Sequence, residues 1–165
     1  MRSMSVRRTS PRSGRSHPSL GWARYTWAMS DPSHISRLIL DELPQTQAIY
    51  LFGSAAADQM LTGSDVDIAV LLPASQAKRA GSLAGSPLHL ALEDSLSRDV
   101  DLLNLRQLST VMQKEVIAGG RRIQCSDVTA ADEFEMHVLS LYQKLNAERA
   151  GIVAEGLSSG HFLKQ

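Results

Sequence analysis

Two groups of residues in this chain have the types and spacing to do chemistry: Gly53-Ser54, and Asp65-Val66-Asp67, with ten residues between the serine and the first aspartate. A small-residue turn leaving an apolar run offers backbone N–H groups to an anion where the next helix begins, the end of a helix that carries partial positive charge. The aspartates stand two apart in a predicted strand, so both project from one face. Like charges held that close repel unless a cation lies between them, and Mg²⁺ carried by a nucleotide is the usual reason to tolerate the arrangement. A phosphate cradle coupled to a metal-binding carboxylate pair implies nucleotidyl transfer. Ser64, directly before the aspartates, is grouped with Gly53 and Ser54 as nucleotide-binding. The bland alternative is a polar hairpin mouth whose aspartates only solvate the turn. It is weakened by context, because Ala48 to Phe52 and Ile68 to Leu72 are apolar runs in which aspartate is unfavourable.

The elements that must position these residues follow from periodicity. Asp31 and Pro32 open a helix whose Ile35, Leu38, Ile39 and Leu43 share a face, and Pro44 closes it. Strand one is predicted from Gln47 to Phe52, a short helix near Ser54, and strand two from Asp65 to Leu72. Residues 74–85 are rich in Ala, Ser and Gly and read as a flexible connection with room for some helix. Ser86-Pro87 starts a helix to about Ser97, followed by strand three from Val100 to Leu105. Leu108, Val111, Met112 and Val116 give the next helix its apolar side, and Gly119-Gly120 stops it. A short strand spans Arg121 to Cys125. The last helix is expected to begin at Thr129 with Asp132 three residues on, and Phe134, Val138, Leu141, Tyr142, Leu145 and Ile152 form its stripe. The order is α+β with α/β-like alternation: about four strands flanked by helices, closed by a long C-terminal helix.

With 165 residues, 43% of them hydrophobic, there is room for one compact domain and a tail. The single cysteine, Cys125, cannot form an internal disulfide, and the five histidines show no zinc-ligand spacing. No apolar stretch reaches the ~20 residues of a membrane span. These features predict a cytoplasmic protein without membrane contact or structural zinc. The neutral total hides an asymmetry: residues 1–28 carry six arginines and no acid, leaving 11 basic and 17 acidic residues, hence −6, in the remainder. The tail reads as a disordered basic extension, with Met29 as an alternative start. The predicted division is residues 1–28 as extension, 30–155 as the folded domain and 156–165 as a flexible end.

Strand, Gly53-Ser54 turn, Asp65-x-Asp67 and strand together resemble the DNA polymerase beta-like nucleotidyltransferase superfamily. The likeness is closest to its minimal nucleotidyltransferases (MNT), which pair with HEPN proteins as toxin–antitoxin modules, and it covers about residues 32–154. In that family a third carboxylate arrives on a later strand within a Val-Asp-Leu-like sequence. Here Asp99-Val100-Asp101-Leu102 offers Asp101, with Asp99 as the alternative on the same face. Tyr142 to Arg149 is similar to the family's closing helix. The departure lies at Ala55-Ala56-Ala57-Asp58, where no basic residue follows the serine and Asp58 stands where relatives often carry glycine.

The resemblance implies a nucleotidyltransferase fold and an enzyme with ATP as substrate and two Mg²⁺ ions. Asp65, Asp67 and Asp101 are then the catalytic and metal-holding residues. It further implies transfer of AMP to a tyrosine hydroxyl of a cognate HEPN ribonuclease toxin, so that the chain acts as antitoxin. Nucleic acid is not expected as a direct substrate, and homo-oligomers or hetero-oligomers with the toxin are compatible with it. Two other functions fit the same motif: a small-molecule nucleotidyltransferase of the aminoglycoside type, and an antitoxin that works by binding alone. Lys78, Arg79, Arg98 and Lys144 are candidates for the cation facing the triphosphate. A serine-hydrolase reading of Ser54 lacks the Gly-x-Ser-x-Gly elbow.

Overall fold

The computed structural model describes residues 31–53 and 65–159. Ser54, Ser64, the short helix expected near Ser54, the extension at 1–28 and the residues from 160 onward lie outside them. Helix α1 (Pro32–Glu42) begins as its sequence requires: the Asp31 side chain accepts from the Ser33 N–H at 3.0 Å, and Pro32 occupies the first turn. Strand β1 (Ala48–Phe52) follows, then β2 (Val66–Leu71), α2 (Ala74–Ala80), α3 (Pro87–Leu96), β3 (Val100–Asn104) and a 3-10 turn (Leu105–Gln107). Helix α4 (Thr110–Gly119), β4 (Arg121–Cys125) and α5 (Val128–Ser159) complete the order.

The four strands form one mixed sheet in the order β3-β2-β1-β4. β1 pairs antiparallel with β2 and β4, while β2 and β3 run parallel across the α2–α3 crossover. Alternation splits the apolar side chains between two faces. Ile49, Leu51, Ile68 and Val70 pack under α1 and α3 with Ile35, Ile39, Leu92 and Leu96. Tyr50, Phe52, Ala69 and Leu71 meet Val116 of α4 and Ala131, Phe134 and Val138 of α5. Burying each such aliphatic side chain is worth ~1.5–3 kcal/mol, so a sheet covered on both faces holds its strand ends firmly. α5 is tied down by a polar link as well: the Tyr50 hydroxyl donates to Glu135 at 2.7 Å, and Arg122 pairs with Asp132 at 2.9 Å.

The partly helical connection resolves into helix α2 and a following turn, held because Ala77 and Leu83 are buried and Asn104 of β3 donates to the Ala77 and Gly81 carbonyls, an end-cap supplied from a distant strand. Three other expectations need correction. α5 starts at Val128, capped by Asp127, whose carboxylate accepts from the Ala130 N–H at 3.0 Å; Asp132 serves Arg122 instead. In α4, Val111 is exposed, while Gln113 is buried and donates to the Leu105 carbonyl. The stripe on α5 covers the sheet only as far as Val138. Leu141 is 40% and Ile152 69% exposed, and the helix continues to Ser159. Among the described residues no helix is long and apolar enough to cross a membrane.

Candidate active site

Strand pairing brings the described members of the predicted site, Gly53, Asp65, Asp67 and Asp101, to one end of the sheet. In the parallel pair Asp67 stands opposite Asp101, and in the antiparallel pair Asp67 stands opposite Phe52, whose next residue is Gly53. Asp65 immediately precedes β2. One row therefore runs Asp101, Asp67, Phe52 across three strands, on the face shared with Tyr50 and Ala69. Gly53 has φ +61°, a left-handed conformation suited to glycine, and a Cβ there would collide with the Asp67 carboxylate. The turn that leaves β1 thus lies directly against the central acid.

The electrostatics follow from that row. Burial, then the charge of Asp101, then that of Asp65 push the Asp67 carboxyl above the usual aspartate range. Asp101 is therefore the later-strand acid that acts on Asp67. Asp99, one pleat earlier, uses its carbonyl to accept from the Val66 N–H at 3.0 Å. Asp65 and Asp101 are exposed and Asp67 is partly buried, an arrangement open to a charged ligand. The donor set is all carboxylate oxygen, which suits a hard cation such as Mg²⁺. Among the described residues, no three carboxylate, imidazole or thiol side chains are already gathered around a common point as a metal cage. A nucleotide-borne Mg²⁺ needs no such cage, since one or two carboxylates and substrate phosphates suffice.

Of the basic candidates, Lys78 and Arg79 occupy the last turn of α2, beyond the end of β2 remote from the acids. Arg98 precedes β3 at the acid end, and Lys144 lies on α5. The sequence reading passed over Arg122. It is the cross-strand partner of Tyr50, shares the face of Asp67, and is held by Asp132 and by Glu135 at 3.8 Å. It also passed over a second role for Gly120, where a Cβ would meet the Val116 and Leu51 carbonyls and the Phe52 Cβ. The signal for both was the Gly119-Gly120-Arg121-Arg122 run, read only as a helix stop and the start of a strand. Two histidines do packing work: His89 accepts from the Gly85 N–H and donates to the Val100 carbonyl at 2.7 Å, and His34 bonds Ser95.

A family model described as "Polymerase beta, Nucleotidyltransferase" matches residues 37–129, which include every described acid of the row. The chain belongs to the polymerase beta nucleotidyltransferase family. A family member from Shewanella oneidensis, named protein adenylyltransferase MntA, is 36% identical over 126 residues, 76% of this chain and 86% of the relative. Among solved structures, a toxin–antitoxin crystal structure with AMP-PNP matches with TM-score 0.63 and 33% identity, covering 77% of this chain and 98% of that one. A complex of tri-AMPylated Shewanella oneidensis HEPN toxin with MNT antitoxin matches with TM-score 0.56 and 34% identity, covering 76% of this chain and 95% of the other. The mixed sheet, its flanking helices and the long last helix are the nucleotidyltransferase fold of these neighbours.

Proposed function

We propose that this chain is a Mg²⁺-dependent protein adenylyltransferase that moves AMP from ATP to a tyrosine hydroxyl of a cognate HEPN toxin and so acts as its antitoxin. The observation that carries the reading is the register pair Asp67–Asp101 beside Gly53, on a chain 36% identical to a protein adenylyltransferase. Two solved toxin–antitoxin structures similar to this chain, one with AMP-PNP and one with an AMPylated toxin, support both the donor and the acceptor.

In this reading Gly53, Ser54 and Ser64 bind the nucleotide, the first two holding the beta and gamma phosphates through backbone N–H groups and the serine hydroxyl. Asp65 and Asp67 would hold one Mg²⁺ against the nucleotide, and Asp67 and Asp101 a second. When bound, the ions neutralise phosphate charge and lower the pKa of the acceptor hydroxyl. Asp101, the more exposed carboxylate of the register pair, takes the proton from that hydroxyl. The tyrosine oxygen forms a bond to the alpha phosphorus as the bond to the bridging oxygen breaks. Pyrophosphate leaves and AMP stays on the toxin.

The test is incubation of the chain with the neighbouring gene product and ATP labelled at the alpha phosphate. Label on a toxin tyrosine, abolished by Asp67→Asn, is the expected result. An unlabelled toxin that the Asp67→Asn chain still neutralises would replace the enzyme by a binding-only antitoxin. Label on an aminoglycoside in place of the toxin would favour the small-molecule activity.

A further inference from the structure

At the end of the strands away from the acids, a cavity of about 340 Å³ opens between α2, the 3-10 turn, α4 and α5. The chemistry above makes no use of it. Arg106, Gln113, Phe134, His137 and Leu141 are among its lining residues. Arg106 is its unusual member. Its Nε donates to the Leu72 carbonyl at 2.6 Å and one Nη to Gln47 at 3.2 Å, and the guanidinium lies 4.8 Å from the centre of the Phe134 ring. A guanidinium has five N–H donors, so most of its fork is left over. Burial lowers its pKa, and no carboxylate among the described residues offsets that effect. A partly buried cation without an anion is costly, and two carbonyl contacts could be made by a neutral amide without that cost. The unused donors match the geometry of a carboxylate, which arginine binds in bidentate fashion.

The cavity also continues into an apolar strip. Leu141, Leu145 and Ile152 follow Phe134 and Val138 along the same side of α5, at helical spacing. Leu141 and Ile152 lack full cover among the described residues, at 40% and 69% exposure. From Asp67 to Leu72 the chain advances five residues, ~16 Å along the sheet. A protein interface of about 800 Å² per partner spans both places at once. A small-molecule acceptor would need only the acid end.

We propose that the Arg106 cavity and the exposed side of α5 form the docking site for the acceptor protein, which inserts a carboxylate into the cavity and lays aliphatic side chains along Leu141 and Ile152. This rests on the acceptor being a protein chain, as in the proposed function. The contact holds the acceptor while its tyrosine reaches Asp101, and so governs binding and leaves the chemical step alone.

The experiment is calorimetric titration of the full chain with the neighbouring toxin, alongside AMP-transfer kinetics. Arg106→Met should weaken binding by about thirtyfold or more and raise KM for the toxin with kcat unchanged, and Arg106→Lys should fall between. Ile152→Asp, on an exposed turn far from the core, should weaken binding as well and decides the matter if Arg106→Met fails to fold. Toxin affinity within about twofold of wild type in the folded variants overturns the proposal. So does Arg106-dependent uptake of inorganic phosphate or acetate with toxin affinity untouched, which would make the cavity a small-anion site. Arg106-dependent toxin binding without any AMP transfer would leave the docking site standing and remove the enzyme reading. Transfer by wild type with Arg106 irrelevant to binding and KM would do the reverse.

Discussion

The backbone of Gly53 rests against the carboxylate of Asp67, so closely that a Cβ on Gly53 would fall on the Asp67 Oδ2. Gly53 also holds φ +61°, where an ordinary L residue is strained by ~1–2 kcal/mol. Gly53→Ala therefore displaces the central acid as well as the turn. Misplacing a reacting group by about 1 Å costs on the order of 100-fold in rate. AMP transfer by Gly53→Ala should fall by about that factor, while toxin binding by calorimetry stays at the wild-type level.

Asp67 gives a prediction with a pH signature. Burial and its two acidic neighbours raise its folded pKa above the ordinary value of about 3.9. The folded chain then holds the Asp67 proton more tightly than the unfolded chain. Ionising it costs native stability, and that cost appears as pH rises from the ordinary aspartate value through the raised one. Asp67→Asn should raise Tm at neutral pH and abolish transfer, and the gain in Tm should shrink as pH falls toward about 4. Added Mg²⁺ with a non-hydrolysable ATP analogue should stabilise wild type and leave Asp67→Asn nearly unmoved in a thermal melt.

Much of this was legible in the sequence for physical reasons that apply unevenly. β1, β2 and β3 are short apolar runs bounded by turn residues or acids, and α1, α3 and α4 carry Asp31, Ser86 and Ser109 as caps, so local signals agree with the fold. The Asp65-x-Asp67 spacing fixes one face without any knowledge of topology. The pairing of Asp67 with Asp101 in place of Asp99 depends on the β2–β3 register, which is set by packing across the sheet. The extent of α2 within its connection was not legible, because its seven residues bury only Ala77 and draw their end-cap from Asn104, a residue far along the chain. Arg106 and Arg122 were missed because a cation's meaning lies in what surrounds it, and neither has its partners nearby in sequence.

The register also separates the two candidate bases. Asp101 stands opposite Asp67 in the parallel pair and its charge acts on Asp67, whereas Asp99 precedes β3 and is not among the charges that shift Asp67. General-base catalysis contributes ~10²–10⁴-fold. Asp101→Asn should lose about 10³-fold in kcat and Asp99→Asn no more than about threefold, measured under saturating ATP and toxin. Equal losses at both positions would move the third acid off β3's central pleat.

Gly120 supports the same end of the sheet from β4. A Cβ there would meet two carbonyl oxygens and the side chain of Phe52, the cross-strand partner of Asp67. Backbone carbonyls cannot swing aside as a flexible side chain can, so β4 must retreat from β1. Gly120→Ala should cost about 2–3 kcal/mol in urea unfolding and lower the transfer rate in the same variant.

Tyr50 predicts a loss of stability in base. Its hydroxyl is buried and donates to Glu135, which together raise its pKa well above the ordinary tyrosine value of about 10. The unfolded chain ionises Tyr50 at that ordinary value and the folded chain does not, so stability declines as pH rises past about 10. Tyr50→Phe keeps the ring among Ala48, Phe52 and Phe134 but leaves Glu135 with Arg122 alone, at 3.8 Å. At neutral pH the substitution should cost ~1 kcal/mol in urea melts, the net worth of one such hydrogen bond. Above pH ~10 the difference from wild type should narrow, because only the wild-type chain can gain by ionising this residue on unfolding. A difference that stays constant through this range would mean that the hydroxyl reaches solvent and that Glu135 is not its partner.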